Sequence, residues 1–356
     1  MAGSTGETVA VAMSGGVDSS LAAALLVQKG CRVIGLTMKL FCYGEDQSPR
    51  SCCSWDSIDS ARKVASQLGI SHYVVDLRKE FRKSVIDYFV AEYRAGRTPN
   101  PCVACNRHIK FDGLLQKALS LGCSRLATGH YARIVRRQGR YLIAEAADVK
   151  KDQSYFLWPL SQEQLSRILF PLGDLTKQKV REQAGLLGLA AAERQESQEI
   201  CFIPDKDYSR FIAQQAASTP GEIVDSQGRV LGRHRGIVHF TIGQRQGVGL
   251  AFKHPLYVVG IDPENNRITV GRDEEVWRTR IWVEDINWLT ARPSRPILAR
   301  VRLRHRHPLA EARILPCDHG AEVDFLKPQR APAPGQSAVF YRRGTVWGGG
   351  IIARTG

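Results

Sequence analysis

No stretch of the chain approaches the roughly 20 apolar residues that a membrane-spanning helix needs. Its longest run of small apolar residues, Leu21 to Val27, falls far short. Met1 to Glu7 have neither a basic start nor an apolar core, and they are not an Arg-rich transit peptide, so no targeting segment is visible there. A reducing cytoplasm is the expected setting. Nine cysteines are poor disulfide material in such a setting, and metal binding or thiol chemistry is the better first reading. The Walker pattern GxxxxGK followed by Ser or Thr is missing, which excludes a P-loop of that type. Only one C-x-x-C occurs, so a zinc knuckle has no matching half. No repeat of about 20–50 residues stands out, which argues against solenoids and propellers.

What the chain has in excess is positive charge. Its 356 residues include 50 Lys and Arg against 35 Asp and Glu, a net +15. That balance favours a polyanionic partner, nucleic acid before an acidic membrane. With 43% hydrophobic and 24% charged residues the composition is that of a globular protein, and the length suggests two or three domains.

The first half alternates. Residues 7–13 predict a buried strand, 19–29 a helix, 31–38 a strand, 56–68 a helix, 71–77 a strand, 80–95 a helix, 106–121 a helix and 124–129 a strand. Residues 96–105, with two prolines, predict a loop. The implied fold is α/β, a doubly wound parallel sheet whose site lies beyond the C-terminal strand ends. Three segments fall there: 14–20, the residues after 38, and Gly129-His130. Beyond about residue 210, Gly-rich β-branched segments predict a small β domain at 211–280 and a β-barrel at 281–356, after a first domain at 1–210.

Ser14-Gly15-Gly16-Val17-Asp18-Ser19-Ser20 sits between a strand and a helix start. Glycines there let backbone N–H groups and the positive helix end meet a phosphate, although a plain capped βα turn has the same form. The string resembles the loop of the ATP pyrophosphatases, which split ATP between its α and β phosphates. Cys102-Val103-Ala104-Cys105 leads into a helix, a position that favours thiolates, and Cys201 lies in Gln198-Glu199-Ile200-Cys201-Phe202. A lone C-x-x-C fits half a zinc site, a redox pair or part of an iron–sulfur site. Cys31, Cys123 and Cys317 are read as small buried hydrophobes; Cys42, Cys52 and Cys53 stay undecided.

The ordered set of motifs resembles the bacterial tRNA-specific 2-thiouridylases. It comprises SGGVDSS, Gly96 to Pro101 with Cys105-Asn106 and Lys110-Phe111, Thr128 to Tyr131, Lys151 to Leu157, Gln198 to Phe202, and Thr241 to Arg245. It ends at Pro334-Gly335-Gln336 and Gly348 to Gly350. The resemblance implies an ATP site at Ala12, Met13, Ser14, Gly15, Gly16, Val17, Asp18 and Ser19, with Met38 and Gly129. Asp18 would help hold Mg²⁺ on the pyrophosphate. It implies that O2 of uridine 34 attacks the α-phosphate and that sulfur reaches Cys201 as a persulfide from a carrier protein or cysteine desulfurase. Cys105 would then release the product through a Cys105–Cys201 disulfide. It places Asn100, Pro101 and Cys102 by the target base, and Lys151, Asp152, Gln153, His130 and Gln336 on the tRNA. Many members carry Asp where this chain has Cys102. That change makes three thiols, Cys102, Cys105 and Cys201, and raises a [4Fe-4S] cluster as an alternative sulfur carrier.

Arg300, Arg302, Arg304 and Arg306 alternate with Val301, Leu303 and His305. Period 2 predicts one strand face of four arginines, with Arg302, Leu303 and Arg304 as a tRNA contact. Arg133, Arg136, Arg137 and Arg140 flank Gly139 in a predicted hairpin that extends the basic surface. Two other readings compete. Another ATP pyrophosphatase, such as an amide-forming synthetase, leaves the cysteines idle, and a zinc-stabilised RNA-binding protein leaves SGGVDSS unexplained.

Overall fold

The structure, a computed structural model, describes residues 6–40, 55–192, 200–203, 208–215, 218–250 and 252–356. Cys42, Cys52 and Cys53, and Gln198 and Glu199, lie outside the described residues. The chain divides into two units. One is Met1–Val85, Cys102–Lys206 and Arg343–Trp347; the other is Ile86–Pro101, Asp207–Arg342 and Gly348–Gly356.

In the first unit, the apolar run at the N-terminus forms β1 (Thr8–Ala12), whose Val9, Ala10 and Val11 are fully buried. Helix α1 (Val17–Gln28) follows. It is buried on nearly every side, as its Ala- and Leu-rich sequence permits. Strand β2 (Arg32–Lys39), helix α2 (Trp55–Gln67) and β3 (Ser71–Asp76) complete the first half of the winding. Strand β4 (Arg125–Ala127) precedes a hairpin of β5 (Arg133–Arg137) and β6 (Arg140–Ala144), and β7 (Ile168–Leu169) ends the sheet. The parallel order is β3-β2-β1-β4-β7. The winding reverses between β1 and β4, and a ligand crevice opens at that point in sheets of this kind. The three segments singled out above follow the ends of β1, β2 and β4.

One boundary differs from the sequence reading. The loop expected over 96–105 ends early, because a helical turn begins at Pro101 and runs through Ala104 into wider i→i+5 turns over Cys105–Leu114. Proline suits the first helical position, where no N–H is needed and its φ is already helical. Cys102 and Cys105 therefore stand on the first turns of a helix rather than in a loop.

The second unit carries β8 (Gly221–Asp225), β9 (Val230–His234), β10 (Tyr257–Asp262) and β11 (Arg267–Gly271), ordered β10-β11-β8-β9. A barrel follows, built from β12 (Trp277–Trp288), β13 (Ile297–Arg302), β14 (Ala310–Cys317), β15 (Gly320–Arg330), β16 (Ser337–Arg342) and the later part of β17 (Thr345–Thr355). The order β12-β15-β14-β13-β16-β17 closes through β12–β17 pairing. Closure removes sheet edges, and Ile281, Val301, Ile314, Val323 and Phe340 fill the interior. Among the described residues no helix is long and apolar enough to cross a membrane.

Candidate nucleotide and thiol site

The loop after β1 is braced from four sides. Met13 N–H donates to Leu36 O (2.8 Å) and Ser14 N–H to Ser19 Oγ (3.1 Å). Ser19 and Ser20 hydroxyls donate to Gly16 O, and Ser60 Oγ donates to Gly15 O (2.9 Å). Thr37 Oγ1 donates to Met13 O (2.7 Å). Gly15 has φ +72°, a conformation that disfavours other residues. Gly16 caps α1 without a side-chain hydrogen bond. The serine side chains thus tie down carbonyls, and the first turn of α1, which has no side-chain cap, can present its N–H groups to an anion. Gly129, just past β4, lies so close to α1 that a Cβ there would sit 2.8 Å from Ser19 N. Met38 is half-buried near the end of β2.

Asp18 is paired on both carboxylate oxygens. Lys177 Nζ lies 2.7 Å from each of its oxygens, and Tyr131 Oη donates to Oδ1 at 2.7 Å. Lys177 opens the helix Lys177–Leu186, whose N-cap Thr176 accepts from Lys179 N–H. Tyr131 is fixed in turn: Gln153 Oε1 accepts its N–H (2.9 Å), and its carbonyl accepts Gln153 N–H (2.8 Å). Lys177 has no local motif to mark it, and its partner is 159 residues away. Only the Lys-rich start of a capped helix hinted at it.

Cys105 is 8% exposed, Cys102 is exposed and Cys201 is half-buried; none of the three is in a disulfide in this structure. Asn106 beside Cys105 donates to Phe156 O (3.2 Å), which ties the thiol helix to the Lys151–Leu157 segment. Cys201 is anchored by its neighbours. Phe202 and Ile203 are buried, and the Phe202 ring meets Phe81 edge-on at 5.6 Å. A four-iron cluster needs three thiolates converging on one centre. Among the described residues no three His, Cys, Asp or Glu side chains are placed to hold a metal ion, so Cys102, Cys105 and Cys201 do not fit the cluster. Cys31 and Cys123 are buried as expected, and burial raises both thiol pKa values. Cys317 is exposed instead, because it ends β14 at the turn into β15.

Several residues expected on the tRNA prove to be internal. His130 is 8% exposed, packed against Phe111 and Phe170. Asp152 is buried and accepts from Ala146 N–H, Ser154 N–H and Ser154 Oγ, so its carboxylate braces a turn. Lys151 and Gln153 are half-buried. Leu303 is 2% exposed and fills the barrel core. Strand β13 ends at Arg302, and the chain then bends and turns while Leu303 still faces the core. The expected face of four arginines is therefore broken. Arg302 stacks 5.0 Å from the Tyr341 ring and Arg304 donates to Arg330 O (3.0 Å). Arg300 and Arg306 stay exposed. In the second unit, Gln336 Nε2 donates to Thr98 O (2.8 Å) and so fixes the backbone ahead of Asn100 and Pro101.

His130 carries a pH signature. Burial first, and the Lys110 ammonium second, hold its imidazole pKa well below 6.5. Nδ1–H faces Thr128 Oγ1 at 2.7 Å and Nε2 accepts from Lys110 at 3.4 Å, so the folded ring is neutral. Below about pH 6.5 the unfolded chain takes up a proton that the folded chain refuses, and stability falls as pH drops. His72, His234 and His307 are lowered too and act in the same sense. Urea unfolding at pH 7.5, 6.5 and 5.5 is expected to show this decline, with a shallower slope in His130→Gln. Equal slopes in the two proteins would refute it.

Profiles of three successive sequence families match the chain: the tRNA methyl transferase HUP domain at residues 7–205, the tRNA methyl transferase PRC-barrel domain at 209–272 and the aminomethyltransferase beta-barrel domain at 278–352. A protein of Heliobacterium modesticaldum named tRNA-specific 2-thiouridylase MnmA is 49% identical over 98% of this chain and 93% of its own length. Proteins of the same name from Pelotomaculum thermopropionicum and Geobacter metallireducens are each 48% identical. They cover 98% and 97% of this chain, and 98% and 96% of their own lengths.

Proposed function

We propose a function from the premise that the chain belongs to the family of tRNA-specific 2-thiouridylases: it activates the wobble uridine of tRNA with ATP and replaces its 2-oxygen by sulfur. The braced loop at the β1–β4 reversal carries this reading, since the start of α1 without a side-chain cap, beside the Asp18–Lys177 pair, supports binding of a phosphate chain. In the first step uridine O2 forms a bond to the α-phosphorus, and the α–β bridging bond breaks to release pyrophosphate. Loop N–H groups and the positive end of α1 stabilise the charge that moves onto the phosphates. Mg²⁺ would arrive on ATP. Asp18, the carboxylate of the loop itself, is held by Lys177, so among the described residues a cage built by the protein does not fit and no step is routed through the ion.

In the second step a persulfide on Cys201, loaded by a sulfur-carrier protein or cysteine desulfurase, attacks C2, and AMP leaves with the former O2. The Cys105 thiolate then attacks Cys201 Sγ. The S–S bond breaks, 2-thiouridine departs, and the Cys105–Cys201 disulfide awaits an external thiol reductant. The helix start at Pro101–Ala104 supports a reactive thiolate at Cys105. We place the enzyme in the cytoplasm, where tRNA and ATP are found. We divide its work among residues 1–210 for activation, 211–280 for a small β domain, and 281–356 for tRNA contact.

Incubation with ATP, bulk tRNA and a persulfide donor, followed by mass analysis of nucleosides, tests the proposal. The expected gain is that of sulfur for oxygen; a methyl gain, or no change, would sink it. The relay needs two thiols, and Cys102 is exposed. Cys102→Ala is therefore expected to keep at least about half of wild-type thiolation, since surface changes are mild. Loss of activity together with loss of bound iron would restore the cluster.

A further inference from the structure

Two residues after Tyr131, the chain leaves the nucleotide loop and enters the β5–β6 hairpin. Ile134 and Ile143 are paired across the ladder and buried on one face of the hairpin, and Leu142 is buried on the other. Its turn is Gln138-Gly139, with φ +49° and +77°. Two positive φ values in a two-residue turn match the strand twist and make a rigid tip.

The base is rigid as well. Arg133 Nε donates to Glu145 O (2.8 Å). Gln162 clamps the outer edge of β6 from both sides, accepting Tyr141 N–H (2.9 Å) and donating to Tyr141 O (2.8 Å). Thr345 and Val346 pair with Ala144 and Ile143.

This fixed platform presents arginines. Arg137 lies directly across the ladder from Arg140, and Arg136 lies across from Tyr141, with its guanidinium 5.7 Å from the ring. Like charges held opposite each other destabilise a ladder by a few tenths of a kcal/mol or more. Among the described residues neither Arg136 nor Arg137 has a carboxylate partner. A well-braced scaffold therefore carries Arg136 and Arg137 at its exposed tip, where among the described residues no carboxylate neutralises them. Stacking on Tyr141 leaves the edge of the Arg136 guanidinium free to fork onto an oxyanion. The strand adds roughly 3.3 Å per residue, so the tip stands on the order of 20 Å along the chain from Tyr131, beyond the footprint of one nucleotide.

We propose that Arg136 and Arg137 bind the phosphate backbone of the substrate tRNA away from the nucleotide being modified, and so position the RNA for the loop. The proposal rests on the tRNA reading above. The test is Arg136→Ala/Arg137→Ala in the full-length protein, with tRNA affinity measured at several salt concentrations. The log–log salt slope is expected to fall by about two units, and KM for tRNA to rise at least about tenfold. Saturating kcat and ATP affinity should match wild type. Thermal stability should not fall, because one opposed charge has gone. Arg136→Lys/Arg137→Lys should restore most of the slope. An unchanged slope and KM, or a lysine variant as impaired as the alanine one, overturns the proposal. Wild-type protein that neither binds nor thiolates tRNA would instead overturn the functional reading beneath it.

Discussion

Cys201→Ser protein is expected to release pyrophosphate once per bound tRNA and then stop, with 2-thiouridine formation reduced at least ~1,000-fold, or about 4 kcal/mol of barrier. Serine keeps the shape of the turn. Phe202 and Ile203 still anchor it through the Phe81 contact, so the fold and the nucleotide loop should be untouched. What is lost is the sulfur that carries sulfur: an Oγ cannot hold a transferable persulfide atom at neutral pH. A rapid-quench count of pyrophosphate beside a nucleoside assay reads the two steps apart. Thiolation at the wild-type rate would remove Cys201 from the mechanism. Cys105→Ser should fail later, with the RNA trapped on Cys201 as a mixed disulfide that an added thiol releases.

Asp18→Ala should fail earlier. Its carboxylate meets Lys177 at 2.7 Å through both oxygens and also accepts the Tyr131 hydroxyl. Without it the Lys177 ammonium is left half-buried and unguided beside the phosphate loop, and Tyr131 loses the group that fixes its ring. Pyrophosphate release is expected to fall by roughly 100-fold or more, about 2.7 kcal/mol, and thiolation with it. Lys177→Ala should do comparable harm from the other side, leaving a carboxylate facing an incoming anion. Because the two act as a unit, Asp18→Ala/Lys177→Ala should lose much less than the sum of the single losses. Strict additivity, or normal pyrophosphate release by either single variant, would show that the pair is only structural.

The contrast between Asp18 and Lys177 shows where sequence reading stops. Asp18 was legible because the loop is local: an apolar strand, two glycines and a helix start lie within about twelve residues. Lys177 reaches the same place only through the packing of α1 against its helix, in the core that Val180 and Ala184 share with Leu21 and Ala24. The thiol helix starts earlier than the proline pair suggests, because a proline can be the first helical residue as well as a breaker. The arginine ladder failed for a different reason. Alternation of charge with Val301 and Leu303 does mark the core side, but it cannot tell where a strand gives way to a turn. His130 and Asp152 sit in motif strings that read as surface contacts. Burial and hydrogen-bond partners, which no local pattern carries, make them internal braces. That a hairpin turns at Gly139 was legible, because the turn is local, while its strand bounds and register come from the structure.

The parallel order of the first unit has a consequence in time. Asp18 and Lys177 are 159 residues apart, so at translation speeds of about 5–20 residues per second the second follows the first by about 8–30 s. In the part of that interval before Arg125–Ala127 is made, the edge of β1 that will receive β4 lacks its partner, while β2 can already pair on the other side. A nascent chain on the ribosome thus carries the recognisable phosphate loop long before it has a closed phosphate site. ATP capture waits until synthesis has passed Lys177, and until β4 is made the open strand edge is the segment in most need of protection from other growing chains.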